Sequence, residues 1–99
     1  MPLHIHPEHL DGVKKILRQI IPRHRVAVFG SRATGTARPS SDLDLFVYGT
    51  DPLDTETTTN LKMAFSESNL PFFVDIVEES GIEQDFRDAI EKQLVDILP

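Results

Sequence analysis

Two aspartates that stand two positions apart, Asp42 and Asp44, are the residues of this 99-residue chain best suited to carry chemistry. On a β-strand this spacing puts both side chains on one face, with backbones roughly 6 to 7 Å apart. Carboxylate oxygens are the ligands that Mg²⁺ prefers. Two such ions, about 3.5 to 4 Å apart, would clamp the attacking and leaving oxygens of an in-line displacement at phosphorus. Alone, an Asp-x-Asp pair is more often a solvated loop or a strand edge, so its neighbours decide the interpretation.

A glycine and a serine precede the aspartates, directly after a short apolar run. Gly30 allows a backbone to approach a ligand closely, and free amides at a helix start bind anions. Gly30 and Ser31 are therefore candidate ligands of a terminal phosphate, with both the amide and the hydroxyl of Ser31 available. The alternative is a plain turn, which is common for Gly-Ser after a strand.

Asp75 is the candidate for a third carboxylate beside the first metal. It lies in an apolar segment, where a charge is costly to bury unless something pairs with it. The alternative is a strand-end aspartate that pairs with an arginine or a lysine.

Arg32 and Arg38 are secondary candidates for the triphosphate. Arg32 could offset negative charge on the leaving pyrophosphate, and Arg38 could do so from the loop. Each could equally form a solvent-facing ion pair with one of the 16 acidic residues, a contact that contributes little to stability. The sequence leaves both alternatives open.

The hydrophobic pattern predicts the elements that must position these residues. In order they are a helix over 7–21, a strand over 25–29, a loop with at most a brief helical turn over 31–41, a strand over 42–48, a helix over 53–66 and a strand over 72–77. Ser80 and Glu83 then form a capping box in front of a final helix whose apolar residues run from Ile82 to Ile97.

This order predicts an α/β (α+β) fold, a small mixed β-sheet with helices packed mainly on one face. The carboxylate face of the second strand is expected to stay open. No repeat or linker divides the sequence, so we expect one domain over 1–99, too short to include a separate substrate domain. A large substrate would then supply part of the site.

Composition excludes several classes of function. The chain has no cysteine, which excludes zinc-thiolate sites and cysteine nucleophiles. A formal charge of -6 disfavours binding to nucleic acid or an anionic membrane. No segment approaches the roughly 20 apolar residues of a membrane span, and the first residues do not resemble a signal peptide. We therefore expect a cytoplasmic protein that binds neither nucleic acid nor membrane.

The stretch from Gly30 to Leu45 resembles a known signature. Gly-Ser, then Asp-x-Asp about ten residues later and an Asp on a later strand, resembles the DNA polymerase beta-like nucleotidyltransferase superfamily. Gly-Ser-Arg-Ala-x-Gly followed by Ser-Asp-Leu-Asp-Leu resembles its minimal nucleotidyltransferases, the antitoxin halves of toxin-antitoxin pairs. The resemblance implies the polymerase beta-like fold and ATP as substrate.

The same resemblance implies the role of each candidate residue. Gly30 and Ser31 would bind triphosphate, and Asp42 and Asp44 would hold two Mg²⁺ ions. Asp75 would complete the first metal site and help to activate the incoming hydroxyl.

The resemblance also implies a partner, a small all-helical RNase toxin of the HEPN class. Minimal nucleotidyltransferases are thought to neutralise such toxins by moving AMP from ATP onto a tyrosine near the toxin's catalytic motif. Two alternatives remain: transfer to a small-molecule hydroxyl, as in antibiotic nucleotidyltransferases, and neutralisation by docking without catalysis. The former enzymes generally carry extra helical domains, and a silent module has no reason to keep clustered carboxylates.

Overall fold

The computed structural model describes residues 3–99. Its elements are α1 (Pro7–Ile20), β1 (Val26–Phe29), α2 (Ser31–Thr34), β2 (Leu43–Val47), α3 (Thr55–Ser66), β3 (Val74–Glu78), α4 (Gln84–Ile90) and β4 (Val95–Leu98), with 3₁₀ turns at Glu79–Gly81 and Glu91–Gln93. Across the described part of the chain, no helix has the length and apolar character needed to cross a bilayer.

The four strands form one mixed sheet in the order β3-β2-β1-β4. Strand β1 pairs antiparallel with both β2 and β4. Strand β3 runs parallel to β2, which α3 makes possible because parallel neighbours need a crossover connection. The predicted α/β class with a small mixed sheet is confirmed. The candidate carboxylates all lie at one end of the β2–β3 pair.

The core is densest where α1 and α3 pack on one face of the sheet. Val13 and Leu17 of α1 and Leu61 of α3 are fully buried against Leu43 and Leu45 of β2. Burying one such side chain contributes roughly 1.5 to 3 kcal/mol. This layer packs against one face of β2. Asp44 alternates with Leu43 and Leu45 along the strand and therefore lies on the other face.

The other face is only partly covered. Phe29 and Phe46 form a smaller cluster with Ile90 of α4, and Phe86 of the same short helix packs edge-on against Phe29. Asp44 lies beside Phe29 on this face and is half-buried. The helices therefore lie mainly on one face, as the sequence predicts.

The predicted final helix is wrong in both its start and its length. Helix α4 begins after Glu83, which makes no side-chain cap, and Ser80 lies in a 3₁₀ turn, so the capping box does not form. The helix ends at Ile90, and Val95–Leu98 becomes a strand beside β1. Pairing with β1 satisfies a strand edge that would otherwise be exposed and buries Leu98. Spacing along one segment cannot reveal such a long-range partner.

Candidate active site

The sheet register brings two of the three predicted carboxylates together. Asp44 of β2 lies directly opposite Asp75 of β3, and paired residues on neighbouring strands project to the same face. Asp42 lies one residue before β2 and is exposed, as is Asp75, whereas Asp44 is half-buried. We refer to these three residues as the carboxylate cluster.

The environment of Asp44 disfavours its charged form. Burial raises the pKa of its carboxyl, and the negative charges of Asp75 and Asp42 raise that pKa further. Within residues 3–99 the ion pairs lie elsewhere, and none includes a member of the cluster. A half-buried carboxylate among like charges is a group that a cation would stabilise.

Gly30 lies directly against the side chain of Asp44. Its φ of 77° and ψ of -158° belong to a region that essentially only glycine occupies. A Cβ built on Gly30 would overlap Asp44 Oδ2 and stand 3.3 Å from Asp44 Cγ. The bare backbone of Gly30 is therefore what lets the Asp44 carboxylate lie against the start of α2.

Gln93 is a residue of this site that sequence reasoning missed. Its side-chain Oε1 accepts the Gly30 amide at 2.9 Å. The β1–β4 register explains the contact: Val28 faces Val95, so the residue two beyond Val28 lies beside the residue two before Val95. No motif marks Gln93, because its position depends on the fourth strand that the sequence did not predict.

Ser31 begins α2 and is half-buried. The amides of Ser31 and Arg32 lie in the first turn, where no intrahelical acceptor exists. The Gly30 carbonyl accepts the next amides, those of Ala33 and Thr34, both at 3.0 Å. Since Gln93 already takes the Gly30 amide, the donors of this turn that remain for an anion are the Ser31 and Arg32 amides and the Ser31 hydroxyl.

Arg32 is the residue whose position differs most from expectation. Only 6% of it is exposed, and its guanidinium donates to the carbonyl oxygens of Ser41, Pro39 and His4. Of the two alternatives that the sequence left open, the solvent-facing ion pair is wrong, because Arg32 is buried and forms no salt bridge within residues 3–99. The guanidinium is already engaged with carbonyl oxygens. The position of Arg32 therefore does not favour the triphosphate contact, which was the other alternative.

Arg38 lies in the same loop but points outward. It is exposed, and among residues 3–99 its side chain forms no ion pair. Its backbone closes a turn with Ser41: the Arg38 amide donates to Ser41 Oγ at 2.8 Å, and the Ser41 amide donates to the Arg38 carbonyl at 3.0 Å.

The carboxylate oxygens of the cluster are ligands that suit Mg²⁺, although they do not form a complete coordination site by themselves. Over residues 3–99 no group of three or more His, Asp or Glu side chains converges closely enough to hold a metal ion alone. Mg²⁺ usually binds through one or two carboxylates and completes its shell with substrate phosphates and water. Asp44 and Asp75 are adjacent and form no salt bridge within residues 3–99, and together with exposed Asp42 they can provide this kind of partial site.

Comparisons with known proteins agree with this geometry. The profile of the nucleotidyltransferase domain family matches residues 10–97. The chain is 45% identical to the probable protein adenylyltransferase MntA of Haemophilus influenzae over 93 residues, which is 94% of this chain and 82% of that protein.

Two solved structures are also similar. A toxin-antitoxin crystal structure with AMP-PNP matches with a TM-score of 0.72 and 27% identity, over 88% of this chain and 70% of that one. A candidate minimal nucleotidyltransferase matches with a TM-score of 0.69 and 33% identity, over 93% of this chain and 96% of that one.

Proposed function

Because this chain belongs to the nucleotidyltransferase domain family and is a nucleotidyltransferase, we propose that it is an antitoxin that transfers AMP from ATP, with Mg²⁺, onto a tyrosine hydroxyl of a HEPN-type RNase toxin. The observation that carries the proposal is the half-buried Asp44, which faces Asp75, adjoins Gly30 and has no cationic partner among the described residues. Such a carboxylate contributes nothing evident to stability, whereas it is suited to bind a metal with a triphosphate.

Each residue of the site has a proposed role. Asp42 and Asp44 would hold two Mg²⁺ ions, which stabilise charge on the attacking and leaving oxygens. Asp75 would complete the first metal site and help to remove the proton of the incoming hydroxyl. Ser31, with Gly30 shaping the turn, would bind the triphosphate, and Arg38 could reach it from the loop.

The reaction is a displacement at the α-phosphorus of ATP. The acceptor oxygen forms a bond to that phosphorus, the bond to the bridging oxygen breaks, and pyrophosphate leaves. The H. influenzae relative is named a protein adenylyltransferase, and a similar toxin-antitoxin structure was solved with AMP-PNP, which supports a protein acceptor and ATP. We place the reaction in the cytoplasm, where ATP and a toxic RNase would meet the protein.

The test follows the α-phosphate. The protein is incubated with Mg²⁺, the product of the adjacent toxin gene, and ATP labelled at either the α- or the γ-phosphate. We expect label on the toxin from α-labelled ATP alone, with the modified residue identified by mass spectrometry. Label from γ-labelled ATP would indicate phosphorylation and contradict the proposal.

A matched pair of double variants separates catalysis from docking. Asp42→Asn with Asp44→Asn should abolish transfer and toxin neutralisation in cells. Asp11→Asn with Asp51→Asn removes the same charge from two exposed positions outside the cluster and should leave both intact. Full neutralisation by the folded Asp42→Asn, Asp44→Asn protein would mean that docking alone suffices.

A further inference from the structure

The cluster of contacts around Arg32 supports an inference about how the site is held in place. Arg32 Nε and Nη2 donate to the Ser41 carbonyl at 3.1 and 2.8 Å, and Nη2 also reaches the Pro39 carbonyl at 3.2 Å. Ser41 immediately precedes Asp42. The guanidinium therefore binds the backbone of the loop that delivers a proposed metal ligand.

A second set of contacts joins Arg32 to the start of the chain. Nη1 donates to the His4 carbonyl at 2.7 Å, and the His4 amide donates back to the Arg32 carbonyl at 2.8 Å. This reciprocal pair fixes the segment just before α1 against α2. The segment and the loop before β2 are thus held by one side chain.

The third contact leads to the strand of Asp75. The Arg32 guanidinium lies over the Phe72 ring, 4.4 Å from its centroid, and Phe72 comes two residues before β3. The Leu43 amide donates to the Phe73 carbonyl at 2.9 Å, which ties the starts of β2 and β3 together. Arg32 therefore contacts the chain just ahead of both strands that carry the cluster.

From these contacts we propose that Arg32 is a positioning residue: it sets the geometry of Asp42 relative to Asp44 and Asp75 by fixing the loop over 36–41 and the Phe72 segment. Its planar fork of five N–H donors is what this arrangement uses, since several carbonyl oxygens in different directions must be satisfied together. Burying this cation is costly, and within residues 3–99 carbonyl oxygens satisfy the guanidinium rather than a salt bridge. This inference rests on the proposed function for the roles of the three aspartates.

The main test is Arg32→Gln, with Arg18→Gln as the matched control because Arg18 is an exposed arginine on α1. A misplacement of about 1 Å can cost 100-fold in rate, so we expect kcat for AMP transfer to fall about 10- to 100-fold. The Kd for ATP should change less than about threefold, because the guanidinium is already engaged with the carbonyl oxygens of Ser41, Pro39 and His4. Arg32→Lys should recover part of the loss, since an ammonium supplies three donors without the fork.

Hydrogen exchange provides a readout that does not depend on activity. In Arg32→Gln the amides of the 36–41 loop and of the segment around His4 should exchange faster, while those of β1 keep their protection. Phe72→Leu keeps an apolar side chain at this half-buried position and removes the aromatic face, so it should fold and lower kcat a few-fold. It serves as the second variant in case Arg32→Gln does not fold.

Three outcomes would overturn the inference. These are wild-type kcat in folded Arg32→Gln, a loss confined to the Kd for ATP, and a loss of activity that matches the unfolded fraction. If the wild-type protein transfers nothing to the toxin, the proposed function fails, and the exchange experiment still decides whether Arg32 fixes the loop.

Discussion

The charged side chains at the two ends of strand β2 have opposite environments. At its beginning, Asp44 is half-buried and faces Asp75, and its pKa is raised by burial and by neighbouring negative charge. Just past its end, the Tyr48 hydroxyl donates to Asp96 at 3.0 Å, and Arg25 pairs with the same carboxylate at 2.7 Å. Among the described residues Asp44 and Asp75 thus form no salt bridge, whereas Asp96 accepts hydrogen bonds from both Arg25 and Tyr48.

The end beyond Val47 has further compensation. Arg25 also lies over the Tyr48 ring at 4.1 Å, and Arg87 of α4 pairs with Glu79 and Glu91. We call Arg25, Tyr48 and Asp96 the tyrosine network. The contrast is consistent with the proposed metal-binding role of the carboxylate cluster, since the same fold pairs its charges where no metal is proposed to bind.

The largest expected effect separates the two ends directly. Asp44→Asn should reduce AMP transfer by at least about 100-fold, because an anionic ligand of both proposed metals is lost. Its free energy of unfolding without metal should be equal to or greater than that of the wild type, because repulsion is relieved. Asp96→Asn is the control in the tyrosine network and should do the reverse: lower stability and full transfer. A destabilised Asp44→Asn protein would break the comparison.

The next effect tests the contact between Gly30 and Asp44. Gly30→Ala should lower transfer about 100-fold, since its Cβ must displace the Asp44 carboxylate and a misplaced group can cost this much. Gly35→Ala is the matched control, with a φ of 87° and no atom within 4 Å of the added Cβ. Both substitutions store backbone strain of about 1 to 3 kcal/mol, measurable by chemical denaturation. Equal losses of transfer in both variants would mean that strain alone explains the effect.

A third effect is a pH dependence of stability. Because the folded-state pKa of Asp44 is raised above its ordinary value of 3.8, the folded protein holds this proton more tightly than the unfolded chain does. The resulting stabilisation is fully present below pH 3.8 and is lost as the pH rises through the raised pKa. The free energy of unfolding of Asp44→Asn minus that of the wild type should therefore grow from pH 3 towards neutrality. A difference that stays constant with pH would contradict this account of Asp44.

The sequence predicted the segment that carries the candidate site better than it predicted the final segment of the chain. Asp42, Asp44 and Gly30 belong to one continuous stretch, where strand alternation and turn chemistry are local properties. Gln93 and strand β4 depend on the pairing of residues more than sixty positions apart, which overrides the helical spacing of Leu94 and Ile97. Whether a guanidinium turns to phosphate or to carbonyl groups is likewise decided by the fold, not by the motif.

The smallest expected effect concerns the tyrosine network. Tyr48→Phe removes the hydroxyl that donates to Asp96 and keeps the ring that packs edge-on against Phe46 and lies under Arg25. We expect a loss of about 1 kcal/mol or less in the free energy of unfolding, because the bond is partly exposed. The wild-type rate of AMP transfer should persist, because this network lies beyond the opposite end of β2 from the carboxylate cluster. A reduced kcat with an unchanged free energy of unfolding would show that the two ends are coupled through β2, and the division between a stabilising and a reactive end would then fail.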